Sequence, residues 1–197
     1  MIKAAQLIYR YDPKDTPVLD RVSLEIPEGQ YVAVIGANGC GKTTLVKHFN
    51  ALLVPQQGQV LVDGLDTKDP KSHREIRRRV GMVFQNPDNQ IVGMSVEEDV
   101  AFGPGNLGLA PAEIRGRVGV ALETVGMLRF AKRAPHSLSG GEKRLVAIAG
   151  VLAMRPAYVV LDEPTSYLDP AGRERVLNVL WELRQEGISV IHVTHSM

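Results

Sequence analysis

Gly36-Ala37-Asn38-Gly39-Cys40-Gly41-Lys42-Thr43 sets three glycines, a lysine and a threonine at the spacing G-x-x-x-x-G-K-[ST]. Such a loop can fold round a phosphate and aim its backbone N–H groups inward. Lys42 adds a full positive charge for β- and γ-phosphates, and the Thr43 hydroxyl is a hard oxygen ligand of the kind Mg²⁺ takes. A second chemistry-bearing pair, Asp162-Glu163, closes the apolar run Tyr158-Val159-Val160-Leu161. One carboxylate there would supply the anionic surroundings of a phosphate-bound Mg²⁺, and the other could polarise an attacking water. Alone, an apolar run ending in Asp-Glu is an ordinary strand-end turn; the phosphate loop gives it chemical meaning. Cys40 lies inside the loop and has two readings. It is either a small residue that fits, or a thiol activated by the helix start and Lys42. The second reading expects alkylation of Cys40 to block nucleotide binding and nucleotide to protect it.

These groups need elements to hold them. Tyr31–Ile35 is continuously apolar and β-branched-rich, which predicts a buried strand feeding the loop, followed by a helix to about Leu52. Val22, Leu24 and Ile26 alternate with Ser23 and Glu25 as in a half-buried strand. Val60–Val62 reads as a short strand closed by an Asp63-Gly64 hairpin turn. Asp69-Pro70 starts a helix, Val80–Gln85 is a strand, and Ser95 with Glu98 forms a capping box. Pro111–Val125 reads as a helix stopped by Gly126, and another follows Ser139 and ends before Pro156. Tyr158–Leu161 is a buried strand, Asp169-Pro170 opens a helix ending at Gly187, and Ile188–Val193 is a last strand. Strands alternating with helices predict an α/β domain.

Composition limits the alternatives. With 197 residues and 44% hydrophobic residues, the chain is long and apolar enough for one folded domain, which excludes wholesale disorder. A net charge of +1 gives no long-range field for coating nucleic acid. The single cysteine excludes an intrachain disulfide and fits a reducing compartment. The longest near-apolar run, Leu145–Met154, is ten residues, against the roughly 20 that span a bilayer, and the N-terminus carries no signal-peptide pattern. The expectation is a cytoplasmic chain whose membrane role, if any, is indirect.

Leu138-Ser139-Gly140-Gly141-Glu142, between the phosphate loop and the acidic pair, resembles the signature motif of the ABC-type ATPases. The resemblance covers essentially the whole chain. It implies a P-loop NTPase core, a small N-terminal antiparallel β subdomain and an α-helical subdomain at roughly 86–150, within one domain spanning 1–197. It implies ATP and Mg²⁺ as ligands. Nucleotide contacts would come from Tyr11, Gly36, Asn38, Gly39, Cys40, Gly41, Lys42, Thr43 and Thr44. Ser139, Gly140, Gly141 and Glu142 would face the γ-phosphate held by a second ATPase subunit, identical or paralogous. Tyr11 resembles the aromatic that stacks on adenine, with Tyr9 a close rival. Thr43, Gln85 and Asp162 would organise Mg²⁺. Glu163 would act as general base and His195 as the switch histidine at the γ-phosphate, alongside Lys42 and Gln85, while His192 reads as structural. Ser166-Tyr167-Leu168-Asp169 resembles the loop that crosses the dimer interface, with Tyr167 where a small residue is usual. Asp169 also reads as a plain N-cap.

Asn86-Pro87-Asp88-Asn89-Gln90-Ile91-Val92, then Val96-Glu97-Glu98-Asp99-Val100-Ala101-Phe102-Gly103-Pro104, resembles the ATPase subunits of energy-coupling-factor importers of cobalt, nickel or vitamins. In that group this region receives a helix of an integral membrane subunit. The resemblance therefore implies ATP hydrolysis at the cytoplasmic face of the membrane, with no nucleic-acid partner. Gly105 stands where Glu is usual, and Lys143-Arg144-Leu145 replaces a Gln-rich stretch; neither is expected to touch the chemistry. Family members continue past the switch histidine with further strands, so the stop at Met197 reads as a C-terminal truncation. Two other readings are a non-transport ABC ATPase acting on nucleic acid or ribosomes, and a truncated nucleotide-binding module without turnover. Stimulation of turnover by nucleic acid would discriminate the first, and loss of turnover with intact ATP binding the second.

Overall fold

The computed structural model describes residues 1–195; Ser196 and the stop at Met197 lie outside it. In chain order the strands are β1 (Ile2–Tyr9), β2 (Leu19–Ile26), β3 (Tyr31–Ile35), β4 (Gln57–Val62), β5 (Leu65–Asp66), β6 (Val80–Val83), β7 (Tyr158–Asp162) and β8 (Ser189–Thr194). The α-helices are α1 (Lys42–Lys47), α2 (His73–Arg79), α3 (Val96–Asn106), α4 (Pro111–Thr124), α5 (Gly140–Leu152) and α6 (Pro170–Gln185). Among the described residues they form two sheets, an antiparallel one of order β2-β1-β4-β5 and a parallel one of order β3-β8-β7-β6.

Strand alternation explains how the layers meet. Successive side chains of a strand point to opposite faces. On β7, Val159 and Leu161 join a core made with α3, α4, α5 and α6, while Tyr158 and Val160 join a second core with β1, β2, β4 and α1. Every residue of β7 is buried, as expected of a parallel strand covered on both faces. Both helices that flank the acidic pair begin on side-chain caps. Ser139 accepts from the Glu142 N–H and Asp169 from the Gly172 N–H.

The expectations for β3 and α1 need correction. β3 is an edge strand with β8 as its neighbour, so Ala33 and Ile35 are exposed although the run is apolar. α1 ends at Lys47 rather than near Leu52. There the bonds tighten to His48 N–H with Leu45 O and Phe49 N–H with Val46 O, and Ala51 takes φ +54°. The Asp63-Gly64 turn has positive φ at both residues and joins β4 to β5, as the two-residue hairpin signal predicts. Ser95 caps α3 by accepting from the Glu98 N–H at 3.3 Å. The reciprocal capping box is instead at Ser139 and Glu142.

Candidate functional site

The carboxyl ends of all four parallel strands converge on one cleft, where ligands bind in open α/β sheets. β3 delivers the loop 36–43, β6 delivers Gln85, β7 delivers Asp162 and Glu163, and β8 delivers His195. The cavity is about 680 Å³ and is lined by Tyr11, Asn38, Gly39, Gly41, Lys42, Thr43, Thr44, Gln85, Asp162, Glu163 and His195, among others. At Gly41 the loop needs glycine: φ is +94°, and a Cβ would stand 2.9 Å from the Val18 carbonyl oxygen. Lys42 Nζ donates back to the carbonyls of Gly36 (2.8 Å) and Ala37 (3.0 Å), which holds its charge over the loop. Cys40 is exposed beside Gly36, where a Cβ would meet its Sγ at 2.8 Å.

Thr43 Oγ1 donates to Asp162 Oδ2 at 2.7 Å. Asp162 is buried, and burial raises its carboxyl pKa against the pull of the Thr43 bond. Its Oδ1 is buried without a partner, an orphan among the described residues that a cation would satisfy. Hydroxyl and carboxylate oxygens are the hard donor set that Mg²⁺ prefers, so these residues fit the ion. Glu163 Oε2 accepts from Ser166 Oγ at 2.9 Å and from His195 Nδ1 at 2.8 Å. Glu163 itself takes φ +50° and donates its N–H to Val193 O, so a left-handed turn presents its carboxylate at the carboxyl end of β7. His192 points elsewhere, bonding Tyr31 through Nδ1 at 2.7 Å, as a structural histidine would.

Tyr11 and Tyr9 separate on exposure. Tyr11 is exposed on the cleft, its hydroxyl 3.0 Å from Thr44 Oγ1. Tyr9 is packed edge-on against Tyr11 and His48 and against the core. Ser139, Gly140, Gly141 and Glu142 do not line this cleft. They form the first turn of α5, where the Glu142 carboxylate accepts from the Ser139 N–H at 2.8 Å. That bond, more than any other contact, holds the Glu142 carboxyl below its ordinary pKa. Thr165, Ser166, Tyr167 and Arg173 also line the cleft and carried no sequence signal of their own, apart from the loop resemblance at 166–169.

A family model described as ABC transporter matches residues 19–166. The chain belongs to the ABC transporter family. It is 62% identical over its full length to a cobalt import ATP-binding protein, CbiO, of Syntrophus aciditrophicus, spanning 70% of that protein. It is 52% identical, again over its full length, to the energy-coupling factor transporter ATP-binding protein EcfA1 of Clostridium perfringens, spanning 72% of it. Among solved structures, cbiO1 of Clostridium perfringens, described as part of the ABC transporter complex cbiONQ, superposes with TM-score 0.90 at 41% identity. The match covers 99% of this chain and 78% of that one. A dimeric ATP-binding cassette, MJ0796, bound to ADP and Pi superposes with TM-score 0.87 at 32% identity, covering 100% of this chain and 88% of that one. Nucleotide binding follows from membership of the family.

Within this ABC transporter chain, Arg144 does not line the cleft, but it reaches the backbone of the turn that carries Gln85. Its guanidinium donates to the carbonyls of Phe84 and Gln85. The reason is tertiary: α5 lies against the turn that leaves β6, and the strand-end carbonyls need donors there. Gln90 completes that turn, accepting from the Phe84 N–H and donating to Met82 O. Asp99 Oδ1 then takes the N–H groups of Val92 (2.7 Å) and Gly93 (2.9 Å). The segment so ordered leaves Val92, Met94 and Phe102 exposed. Tyr167, at φ +64°, is 95% exposed. Among the described residues no helix is long and apolar enough to cross a membrane.

Proposed function

We propose that this chain is the ATP-hydrolysing subunit of a membrane importer of the energy-coupling-factor type, for a metal ion or a vitamin, working as a peripheral subunit at the cytoplasmic face. The observation that carries the reading is the convergence of Lys42, Thr43, Asp162, Glu163 and His195 on one cleft. The similarity to the cobalt importer subunit and to EcfA1 supports the transport assignment. We take the chain as one ATPase domain with its helical part at roughly 86–150.

In this reading the loop amides and Lys42 hold the phosphates, and the exposed face of Tyr11 stacks on adenine. Thr43, Gln85 and Asp162 would hold Mg²⁺, which when bound neutralises charge on the β- and γ-phosphates. Glu163 takes a proton from the attacking water, and His195, already bonded to that carboxylate, keeps it oriented and contacts the γ-phosphate. Ser139 and Gly140, exposed at the start of α5, and the amide of the buried Gly141 beside them serve the nucleotide of a second ATPase subunit. The dimeric cassette among the similar structures supports that arrangement. Val92, Met94 and Phe102 offer an apolar face to an integral membrane subunit.

The test is ATPase rate against protein concentration, with Glu163→Gln as control. The rate should rise faster than linearly with concentration. The variant should bind ATP normally and lose turnover by about 10²–10⁴-fold, the range of a general base. Wild-type turnover in the variant would remove Glu163 from the role, and a strictly linear rate from a chain that is monomeric over the same concentrations would remove the dimer.

A further inference from the structure

Arg144 is 2% exposed, one turn into α5, and its fork spans two consecutive carbonyls, Phe84 O and Gln85 O, the latter at 2.5 Å. Among the described residues it makes no ion pair, and its Nε has no partner. Burial lowers its pKa, opposed by the charge of Asp162. A buried cation satisfied by neutral carbonyls costs stability relative to an apolar side chain of similar volume. What the arrangement supplies is position, because a planar fork fixes two acceptors at once. A second tie lies beside it: Lys143 Nζ donates to Asp88 Oδ1 at 2.6 Å. Gln90 closes the same turn onto β6. The segment 84–90 is therefore hung on α5, whose first residue follows Ser139. Arg144 stands five residues beyond Ser139, about 7.5 Å along the helix axis.

We propose that Arg144 is a positioning residue that sets the placement of Gln85 by the position of α5, so that engagement of Ser139 with a second subunit's nucleotide is felt at Gln85. The proposal rests on the reading of Gln85 as a group that faces Mg²⁺ and the attacking water.

The experiment is a cycle in the full chain: Arg144→Met, Gln85→Ala and the double variant, with Arg144→Lys, which keeps the charge and reaches one carbonyl. Three quantities are read: kcat, the Mg²⁺ concentration for half-maximal turnover, and ATP binding without Mg²⁺. Arg144→Met is expected to lower kcat about tenfold or more and to raise the Mg²⁺ requirement about threefold or more. ATP binding without Mg²⁺ should stay within about twofold, and Arg144→Lys should recover part of kcat. In the Gln85→Ala background Arg144→Met should cause no further loss. An equal loss in both backgrounds, or unchanged kcat and Mg²⁺ dependence, overturns the proposal and makes Arg144 structural. If Gln85→Ala alone keeps wild-type turnover and Mg²⁺ dependence, the reading of Gln85 fails, and the proposal with it. Should Arg144→Met not fold, the same cycle is run with Arg144→Lys, for which additivity with Gln85→Ala is equally fatal.

Discussion

Lys42 and Tyr11 are held differently, and their variants should separate charge from stacking. Lys42 Nζ is kept by two loop carbonyls and has a donor left for phosphate. Lys42→Met removes a charged donor worth about 1.5–3 kcal/mol per bond, so the ATP Kd should rise about 10–100-fold in a titration. Tyr11 presents a ring whose hydroxyl is tethered to Thr44. Tyr11→Ala should raise the Kd about fivefold or more, and Tyr11→Phe by less than about twofold, because a stacked aromatic is worth about 1–3 kcal/mol. Equal affinity in Tyr11→Ala would return the assignment to Tyr9. The phosphate loop was legible because its chemistry is local backbone at fixed spacing. Arg144 was not, because its partners are backbone carbonyls up to 60 residues earlier in the chain, and no residue type announces a carbonyl.

At Ser139 of helix α5 one side chain carries a cap and the anion contact we propose, and substitution can pull the two apart. Ser139→Ala loses the cap and should cost about 1 kcal/mol. Ser139→Asp keeps a cap acceptor, so its melting temperature should stay near wild type, yet it sets a negative charge where a second subunit's phosphate would come. Turnover should vanish in Ser139→Asp while ATP binding persists; wild-type turnover there would place Ser139 away from any phosphate. Strand β8 and the C-cap residue of helix α1 carry a pH effect. Burial pushes the His192 and His48 imidazoles below their ordinary range. Below about pH 6.5 the unfolded chain binds protons that these folded histidines refuse. Their contribution is therefore intact above that pH and lost as pH falls. Melting temperature should drop between about pH 7.5 and 5.5, and the pair His48→Gln, His192→Gln should flatten that slope; an unchanged slope would assign it to other groups. The elements most legible in sequence had both a pattern and a punctuator, as α4 with Gly126 and α6 with Asp169 and Gly187. β1 escaped notice because Lys3-Ala4-Ala5-Gln6 shows no clean alternation and Gln6 interrupts the strand at φ +48°. β3 was read as buried because an apolar run does not say how many neighbours a strand has.

At the scale of the molecule, the carboxyl ends of the parallel strands gather the proposed nucleotide chemistry while Val92, Met94 and Phe102 are exposed away from the cleft, and the two regions are joined through the segment between β6 and α3. Asp99 fixes that segment by two backbone bonds, and Met94 is 85% exposed beyond it. A turn fixed by hydrogen bonds removes the backbone share of the ordering cost of docking, so that only the rotamer entropy of the side chain is left to lose. Met94→Asp with Phe102→Asp replaces two anchors by charges that would have to be desolvated. Capture by the membrane subunit of an energy-coupling-factor importer should weaken about tenfold or more. Asp99→Ala should give a smaller loss, because it loosens the turn without altering the apolar groups. The order of these effects is the informative result. If Asp99→Ala weakens capture more than the double substitution does, the surface is recognised through the backbone of residues 91–95. If neither weakens it, the membrane subunit docks elsewhere on the chain.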